Sequence, residues 1–376
     1  MPSSTETVIV GAGPAGLAVG AALRRVDAPF VMLERGAHVG ESWRAHYERL
    51  HLHTPKRHSA LPYRAFPAQY PTYPSRTQVV DYLDDYARTF ELQPEFGSEV
   101  QKCTRTAEGH WVVSTRDGEY RARNVVMASG LFQIPNRPHW PGDETFPGTI
   151  VHSKEYRNGA AFRGKRVLVV GFGNTGAEIA LDLLDHGARP IIAVRGKVNV
   201  IPRDLVGIPI IVFALLCRPL PARAADAMNA LTLRLAIGDL KKLGLEKRDE
   251  GPFAEIVETR QIPVLDIGTL AHIRSGAIAI RKGVASFDGS TVVFADGKRE
   301  QFDAVVLATG YRSGMTNLFP QDSNILDSEG TPRGLTPAKG LFFCGYDVSQ
   351  ARAGLLRHIG VEARHIAATI RGRAPA

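Results

Sequence analysis

Two stretches of the chain repeat the same order of apolar and polar positions. In residues 5–34, the apolar run TVIV leads into GAGPAG, then into the helical pattern LAVGAALRR and the second apolar run PFVMLE. In residues 165–195, the corresponding segments are KRVLVV, GFGNTG, AEIALDLLDHG and PIIAVR. Short β-branched runs on either side of a 3.6-residue periodicity predict a strand, a helix and a second strand in each stretch.

Both strand-to-helix junctions carry a GxGxxG spacing. The first glycine lets the turn close, the second lets the backbone approach a pyrophosphate, and the third lets the helix pack tightly on its strand. Groups at the helix start can then cap the helix or contact the phosphates. The junction residues are Gly11, Gly13, Pro14, Ala15 and Gly16 in the first stretch, and Gly171, Gly173, Asn174, Thr175 and Gly176 in the second. This spacing predicts an α/β fold with two Rossmann-like dinucleotide-binding domains.

The residue that ends the second strand differs in charge between the two stretches. Glu34 ends the first stretch and Arg195 ends the second. A carboxylate accepts hydrogen bonds from ribose hydroxyls and repels a 2′-phosphate, whereas a guanidinium pairs with that phosphate. We therefore predict FAD at the first site and NADPH, in preference to NADH, at the second. Lys197 and Arg203 either reinforce the phosphate site or are simply solvated.

Further apolar runs indicate how the chain is divided. NVVMASG (124–130), DAVVLATG (303–310) and LFFCG (341–345) predict strands, a proline-rich segment follows the first, and helical patterns cover about 204–245 and the C-terminal region to 370. We expect an FAD-binding domain made of both chain ends, residues 1–145 and 300–376. The NADPH-binding domain is then inserted at 150–299, with a helical insert at about 204–245.

Composition narrows the class of protein. A chain of 376 residues with 44% hydrophobic and 22% charged residues predicts two folded domains. The net charge of +8 is scattered, which favours anionic cofactors over nucleic acid as partners. The longest apolar stretch, 205–217, is too short for a membrane span, and the N-terminus does not resemble a secretory leader. We expect a soluble, cytoplasmic protein.

The cysteines exclude several kinds of site. Cys103, Cys217 and Cys344 lie far apart and form no CxxC pair. The spacing therefore predicts no disulfide framework, no metal site and no redox dithiol.

A longer pattern resembles a known family. FPGTIVHSKEY fits FxGxxxHxxx(Y/F) through Phe146, Gly148, His152 and Tyr156, and it lies between the two glycine turns. With GAGPAGLAV, FVMLER, LHLHTPKR, VRGKVNVIPRDLVG and VVLATGY, it makes the chain similar to flavin-containing monooxygenases, and within them to the YUCCA-type enzymes of auxin synthesis. The resemblance implies that NADPH reduces FAD, that oxygen forms a flavin hydroperoxide, and that retained NADP⁺ shields it.

The resemblance also suggests roles for single residues. His53, in LHLHTPKR, either contacts the flavin, NADP⁺ or the peroxide, or is a packed histidine. Trp43 corresponds to a residue near the flavin and Arg44 can pair with FAD phosphates, or either residue simply packs at an interface. His152 and Tyr156 either seat NADP⁺ or stabilise the linker between domains. Further cofactor contacts are expected at Arg35, Val100, Thr309 and Gly310.

Several reactions and functions fit these features. The YUCCA likeness implies oxidative decarboxylation of indole-3-pyruvate or a related aryl 2-keto acid, with molecular oxygen as the second substrate. The alternatives are N- or S-oxygenation or Baeyer-Villiger oxidation of a small molecule. Outside this class, a ferredoxin-type NADPH reductase and a non-catalytic nucleotide-binding redox sensor remain open, as does homo-oligomer formation.

Overall fold

The chain divides into two compact units. The computed structural model describes residues 3–319, 324–349 and 354–372. The first unit comprises Met1–Ala45, Thr54–Ile134 and Tyr311–Ala376, and the second comprises His46–His53 and Pro135–Gly310. We call His46–His53 the crossing segment, because both of its neighbours in sequence belong to the first unit.

The first unit begins with a βαβ element and continues into a helix and a meander. Its elements are β1 (Ser3–Val10), α1 (Pro14–Arg24), β2 (Val31–Leu33), α2 (Glu41–Arg44), α3 (Arg76–Thr89), β3 (Val100–Arg105), β4 (Trp111–Thr115) and β5 (Glu119–Met127). The two-residue strand β6 (Ile134–Pro135) spans the boundary at which the first unit ends and the second begins. Helix α3 begins at a capping box, in which Ser75 and Gln78 each satisfy the backbone amide of the other.

The second unit repeats this order with additional elements. Its elements are β7 (Thr149–His152), β8 (Arg166–Val170), α4 (Asn174–Asp185), β9 (Arg189–Val194), β10 (Val200–Pro202), β11 (Asp204–Leu205), β12 (Ile208–Pro209), α5 (Ile210–Leu216), α6 (Ala222–Ile237), α7 (Pro252–Ala254), β13 (Val264–Asp266), α8 (Thr269–Arg274), β14 (Ala279–Lys282), β15 (Val284–Asp288), β16 (Thr291–Phe294), β17 (Arg299–Gln301) and β18 (Ala304–Leu307). The chain then returns to the first unit through β19 (Tyr311–Arg312), β20 (Leu341–Phe343) and α9 (Leu355–Ile370).

The sheet of the first unit is parallel on one side and antiparallel on the other. Its order is β2-β1-β5-β4-β3, and β20 pairs in parallel with the last part of β5. Strand β5 is long enough to pair with β4 near its start and with β20 near its end. The β1–β2 pairing places Val10 opposite Leu33, so the glycine turn and the end of β2 lie at the same edge.

The sheet of the second unit is fully parallel. Its order is β14-β9-β8-β18-β7, and a separate three-stranded meander is formed by β15, β16 and β17. Strands β8 and β9 pair Val170 with Ala193, which brings the second glycine turn and the end of β9 to one edge. The apolar runs read from the sequence are buried in both sheets, as parallel strands covered on both faces require.

The unit boundaries differ from the predicted domain boundaries in two ways. The run DAVVLATG was expected in the first domain, but β18 lies between β8 and β7 and its residues are at most 2% exposed within the second unit. The compact units therefore change at residues 134 and 310, whereas the predicted domains change at 145 and 300. The crossing segment was also not anticipated, because its assignment depends on tertiary contacts such as those of the buried Tyr47.

The predicted helical insert begins with a short hairpin. Strands β11 and β12 pair in antiparallel fashion before α5 and α6. Helix α6 leaves apolar side chains exposed along one stripe, with Met228 at 60%, Leu231 at 68% and Leu235 at 78% exposure. Within the described ranges, no helix combines the length and the apolarity needed to cross a bilayer.

Candidate functional site

Glycine is required by backbone contacts at the first turn. Gly11 has φ of +105°, and a Cβ at this position would lie 2.7 Å from the carbonyl oxygen of Ala128. A Cβ at Gly16 would lie only 1.8 Å from the carbonyl oxygen of Gly11. The glycine turn at residue 11 and the start of helix α1 therefore approach each other as closely as their backbones allow.

Gly13 is different, because its missing side chain leaves open space. It is the N-cap of α1, Pro14 follows it, and its φ of −79° is accessible to any residue. In the described part of the chain, no atom lies within 4 Å of a Cβ built at Gly13, and no side chain caps the helix. The first turn of α1, including the buried Ala15, thus keeps backbone amides for a phosphate.

Glu34 is held at the edge of this turn. It follows β2 directly and is 8% exposed. One carboxylate oxygen accepts from the Ala12 amide at 2.7 Å, and the other accepts from the Gly36 amide at 2.8 Å. Each carboxylate oxygen can accept a second hydrogen bond, so the ribose hydroxyls of a dinucleotide still find acceptors there. The neighbouring Arg35 is exposed.

Arg44 has a carboxylate partner inside the first unit. Its guanidinium contacts both oxygens of Asp84 at 2.6 Å and donates to the carbonyl of Val39 at 3.1 Å. Asp84 neutralises the guanidinium charge, so this pairing favours a packing role for Arg44 over a contact with an FAD phosphate. Trp43 lies beside it in α2 and is half-buried. Val100 starts β3 and packs partly against the core of the unit.

The second turn reproduces the geometry of the first. Gly171 has φ of +111°, and its Cβ would lie 2.4 Å from the carbonyl oxygen of Ala308. A Cβ at Gly176 would lie 2.1 Å from the carbonyl oxygen of Gly171. Gly173 is the N-cap of α4, and a Cβ there meets no atom of the described residues within 4 Å. The same cradle is therefore built twice.

Arg195 is the cation whose charge remains available at this edge. It is exposed two residues beyond Ala193, the partner of Val170 in β8. Lys197 pairs with Asp249 at 2.5 Å, and Arg203 pairs with Asp204 at 2.9 Å. Among residues 3–319, 324–349 and 354–372, the structure gives Arg195 no ion pair of this kind. Of the three cations proposed here, Arg195 fits a 2′-phosphate best.

Asn174 serves the fold of the second unit. Its side-chain amide donates to the carbonyl of Pro263 at 3.1 Å, and its side-chain oxygen accepts from the amide of Leu265 at 2.7 Å. It therefore fastens β13 to the start of α4, which leaves contacts with a pyrophosphate to backbone groups. Thr175 follows it and is half-buried.

Residues of the segment that contains the FxGxxxHxxxY pattern form hydrogen bonds with the residues that follow β18. Thr309 donates its hydroxyl to the carbonyl of Asn136 at 2.5 Å, and the carbonyl of Gly310 lies 3.1 Å from Nε2 of His152. His152 is fully buried, and this burial lowers its pKa. Tyr156 donates to Asp182 at 2.6 Å, and burial raises its pKa. These contacts support the structural interpretation of the FxGxxxHxxxY pattern.

His53 contacts a residue that the sequence analysis missed. Its Nε2 lies 3.2 Å from Oε2 of Glu178, and the same oxygen accepts from the hydroxyl of Tyr47 at 2.8 Å. Glu178 is 1% exposed on α4. The run AEIALDLL offered a signal, because Glu178 and Asp182 share one helix face with buried apolar residues.

The geometry fits two dinucleotides of different ribose chemistry. Each turn presents a glycine cradle and a helix start that remains open, while Glu34 ends one strand and Arg195 ends the other. The cysteines offer no second redox centre, since Cys103, Cys217 and Cys344 are each buried and free. Burial raises the pKa of Cys103 to about 12, so its thiolate form is disfavoured at neutral pH.

Comparison with known proteins agrees with this arrangement. Residues 8–204 match the family model described as pyridine nucleotide-disulphide oxidoreductase. Indole-3-pyruvate monooxygenase YUCCA1 of Oryza sativa subsp. japonica is 40% identical over 348 residues, covering 90% of this chain and 86% of that protein. Indole-3-pyruvate monooxygenase YUCCA6 of Arabidopsis thaliana is 38% identical over 361 residues, covering 93% and 87% respectively.

A solved structure shares the fold. The flavin-containing monooxygenase from Stenotrophomonas maltophilia aligns with a TM-score of 0.74 at 24% sequence identity. The alignment covers 98% of this chain and 99% of that chain, so both units are included.

Proposed function

The chain belongs to the YUCCA-type flavin-containing monooxygenases, which use FAD and NADPH, and we propose that it converts indole-3-pyruvate or a related aryl 2-keto acid to the corresponding acetic acid. In this reaction the keto acid, O₂, NADPH and a proton give the acetic acid, CO₂, NADP⁺ and water. The carbon–carbon bond to the carboxylate breaks, and NADPH supplies the two electrons that reduce the second oxygen atom to water.

The observation that carries the use of two nucleotides in this proposal is the pair of similar turns with opposite charges beside them. Glu34 suits the unphosphorylated adenosine ribose of FAD, and Arg195 suits the 2′-phosphate of NADPH. The open positions at Gly13 and Gly173 let a pyrophosphate reach the amides of α1 and α4. Bound FAD, once reduced, supplies the oxygen-activating chemistry. The protein residues bind and orient the two nucleotides.

The substrate class rests on sequence similarity along nearly the whole chain. The relatives named for indole-3-pyruvate cover 90% and 93% of it at 40% and 38% identity. This similarity supports an aromatic keto acid over a small aliphatic amine.

A product assay tests the proposal. FAD-loaded enzyme is supplied with NADPH, air and, in separate reactions, indole-3-pyruvate, phenylpyruvate, an aryl amine and an aryl sulfide. We expect the acetic acids to form in proportion to NADPH consumed. Catalase is included, because free peroxide decarboxylates 2-keto acids without an enzyme.

The alternative functions give different results in the same assay. Oxygenation of the amine or sulfide without acetic acid formation would favour N- or S-oxygenation. NADPH oxidation that needs an added electron acceptor would indicate a reductase, and negligible oxygen uptake with every substrate would indicate a redox sensor. Reduction of disulfides is disfavoured by the three buried, free cysteines.

A further inference from the structure

The crossing segment brings an imidazole and a phenol to one buried carboxylate of the second unit. Tyr47 is 2% exposed and donates to Oε2 of Glu178 at 2.8 Å. His53 presents Nε2 to the same oxygen at 3.2 Å, and its side chain is 22% exposed against 2% for Glu178. The carboxylate therefore lies inside the unit while the imidazole reaches its surface.

Glu178, which contacts Tyr47 and His53, lies on α4 near the second glycine turn. Helix α4 begins at Asn174, and Glu178 follows one helical turn later. At 1.5 Å of rise per residue, this offset is about 6 Å along the helix. His53 is thus anchored close to the helix end that is open at Gly173.

The contact determines which nitrogen of His53 can accept a hydrogen bond. A carboxylate only accepts, so the proton of the neutral ring lies on Nε2 when it bonds to Glu178. The other nitrogen, Nδ1, is then the acceptor. A second donor, the Tyr47 hydroxyl, fixes the carboxylate oxygen from inside the unit.

We propose that Glu178 is a positioning residue that holds His53 in the Nε2-protonated form, so that Nδ1 accepts a hydrogen bond from a hydroxyl or amide group of bound NADP⁺. The proposal rests on the proposed function for the presence of the nucleotide, but it does not depend on the identity of the substrate. His53 then acts as a nucleotide-binding residue, and Tyr47 acts through Glu178.

The other acidic residues of α4 have different partners. Asp182 accepts from Tyr156 at 2.6 Å and lies beside His186, while Asp185 pairs with Arg49. Asp182 therefore provides a matched control: it lies one turn further along the same helix, is buried and accepts from a buried tyrosine. It makes no hydrogen bond with His53 in the described structure.

The protonated nitrogen of His53 can be read directly by NMR. The full-length, FAD-loaded protein is labelled with ¹⁵N-histidine, and the His53 signals are identified by their loss in His53→Asn. At about pH 8, we expect the wild-type ring to show a protonated Nε2 and an unprotonated Nδ1. A wild-type ring protonated on Nδ1 would overturn the proposal without any variant of Glu178.

Variants then test the role of the carboxylate. Tyr47→Phe with Glu178→Leu removes the acceptor and the buried hydroxyl together, and we expect the two ring forms of His53 to become mixed. Glu178→Gln retains an acceptor oxygen and should preserve the wild-type pattern. Tyr156→Phe with Asp182→Asn should leave the His53 signals unchanged. Unchanged signals in the Tyr47/Glu178 variant would contradict the positioning role.

Affinity for NADP⁺ tests the ligand contact. Titration of the FAD-loaded protein with NADP⁺ should show weakening by roughly 3- to 10-fold in His53→Leu, which has no acceptor and loses an interaction on the scale of one hydrogen bond. The Tyr47/Glu178 variant should bind less tightly than the wild type by a smaller factor, because part of its ring population still has an unprotonated Nδ1. The Tyr156/Asp182 control should bind as the wild type does. Unchanged affinity in His53→Leu would refute the nucleotide contact. Neither readout uses a keto acid, so an incorrect substrate assignment leaves both intact.

Discussion

At the scale of single residues, Arg195 differs from the neighbouring cations in what its charge contacts. Lys197 and Arg203 are each paired with an aspartate, whereas Arg195 is exposed at the end of β9. Loss of a charged hydrogen bond to the 2′-phosphate should weaken NADPH binding in Arg195→Ala by roughly 1.5–3 kcal/mol, with NADH binding spared. Isothermal titration with both nucleotides measures the difference.

Lys197→Ala is the matched control for Arg195. It removes a nearby surface cation that Asp249 already neutralises, so the preference for NADPH over NADH should remain. Equal losses for both nucleotides in Arg195→Ala would show that this residue does not read the 2′-phosphate.

His152 predicts a pH dependence of stability. Burial lowers its pKa, so the folded protein favours the neutral ring while the unfolded chain takes up a proton near the ordinary value of about 6.5. The contribution of the neutral His152 ring to the free energy of unfolding is therefore complete above about pH 6.5. It is lost as the pH falls from about 6.5 toward the lower pKa of the folded protein. Urea unfolding at about pH 7.5 and 5.5 should show a larger loss in the wild type than in His152→Gln.

The other histidines are present in both the wild type and His152→Gln, so their effects on the pH dependence of stability cancel when the two proteins are compared. At the higher pH, His152→Gln should itself cost about 1–3 kcal/mol, because the contacts to Gly310 and Lys154 are disturbed. An identical pH dependence in the two proteins would rule out His152 as the source.

The positions of single residues could be predicted where local spacing dictates them. The glycine turns have the close backbone contacts that their spacing implied, and Glu34 lies against the first turn as expected of a strand-end carboxylate. The partners of Arg44 and Asn174 come from residues 40 and about 90 positions away, respectively. Glu178 was missed for the same reason, since its partners Tyr47 and His53 are more than 120 residues distant.

At the scale of elements, the two turns allow binding to be separated from folding. Gly13→Ala and Gly173→Ala place a methyl group in open space at allowed backbone angles, so both proteins should fold normally. Because that space faces the uncapped helix starts, Gly13→Ala should lower FAD retention and Gly173→Ala should lower NADPH affinity. Flavin absorbance and nucleotide titration measure the two effects.

Gly16→Ala provides the contrasting variant. Its Cβ would lie 1.8 Å from a carbonyl oxygen, so this change should disrupt the fold itself. If Gly13→Ala retained a full complement of FAD, the first turn would not be the pyrophosphate site.

The strands and helices themselves were largely predictable, but their pairing was not. The βαβ periodicity located β1, α1 and β2, and likewise β8, α4 and β9, to within a few residues. The apolar run at the end of β5 and the run that forms β18 do not reveal which sheet accepts them, because the two runs are alike in composition and burial. Only the pairing of β18 with β8 and β7 assigns it to the second unit.

At the scale of the whole molecule, the cysteines predict insensitivity to thiol chemistry. All three are free and buried, and burial raises the pKa of Cys103 and of Cys344. The native protein should therefore react slowly with a thiol reagent such as DTNB. The urea-unfolded chain should react quickly at all three cysteines and release three equivalents of the coloured thiolate per chain. The Cys103→Ala variant should retain NADPH-dependent oxygenation. If this variant lost turnover while it still bound FAD, a thiol-dependent reductase would be favoured.

The two units use one architectural scheme with different additions. Each has a parallel core and a three-stranded meander, and the second gains β14 and the helices α5 and α6. The likeness of the chain to a family covered both units and led to the reaction class, which local chemistry alone did not specify. No motif such as a catalytic triad marks the substrate, because the cofactors perform the oxidation.

The crossing segment has a practical consequence for protein engineering. A cassette cut at residues 135 and 310 would transfer every strand of the second sheet into a new scaffold but would leave Tyr47 and Arg49 behind. The transplanted helix α4 would then carry Glu178 without its hydrogen-bond donor and Asp185 without its cation. Glu178 would be a buried carboxylate that has lost this partner. Chimeras and circular permutants should therefore take residues 46–53 from the same parent as the cassette.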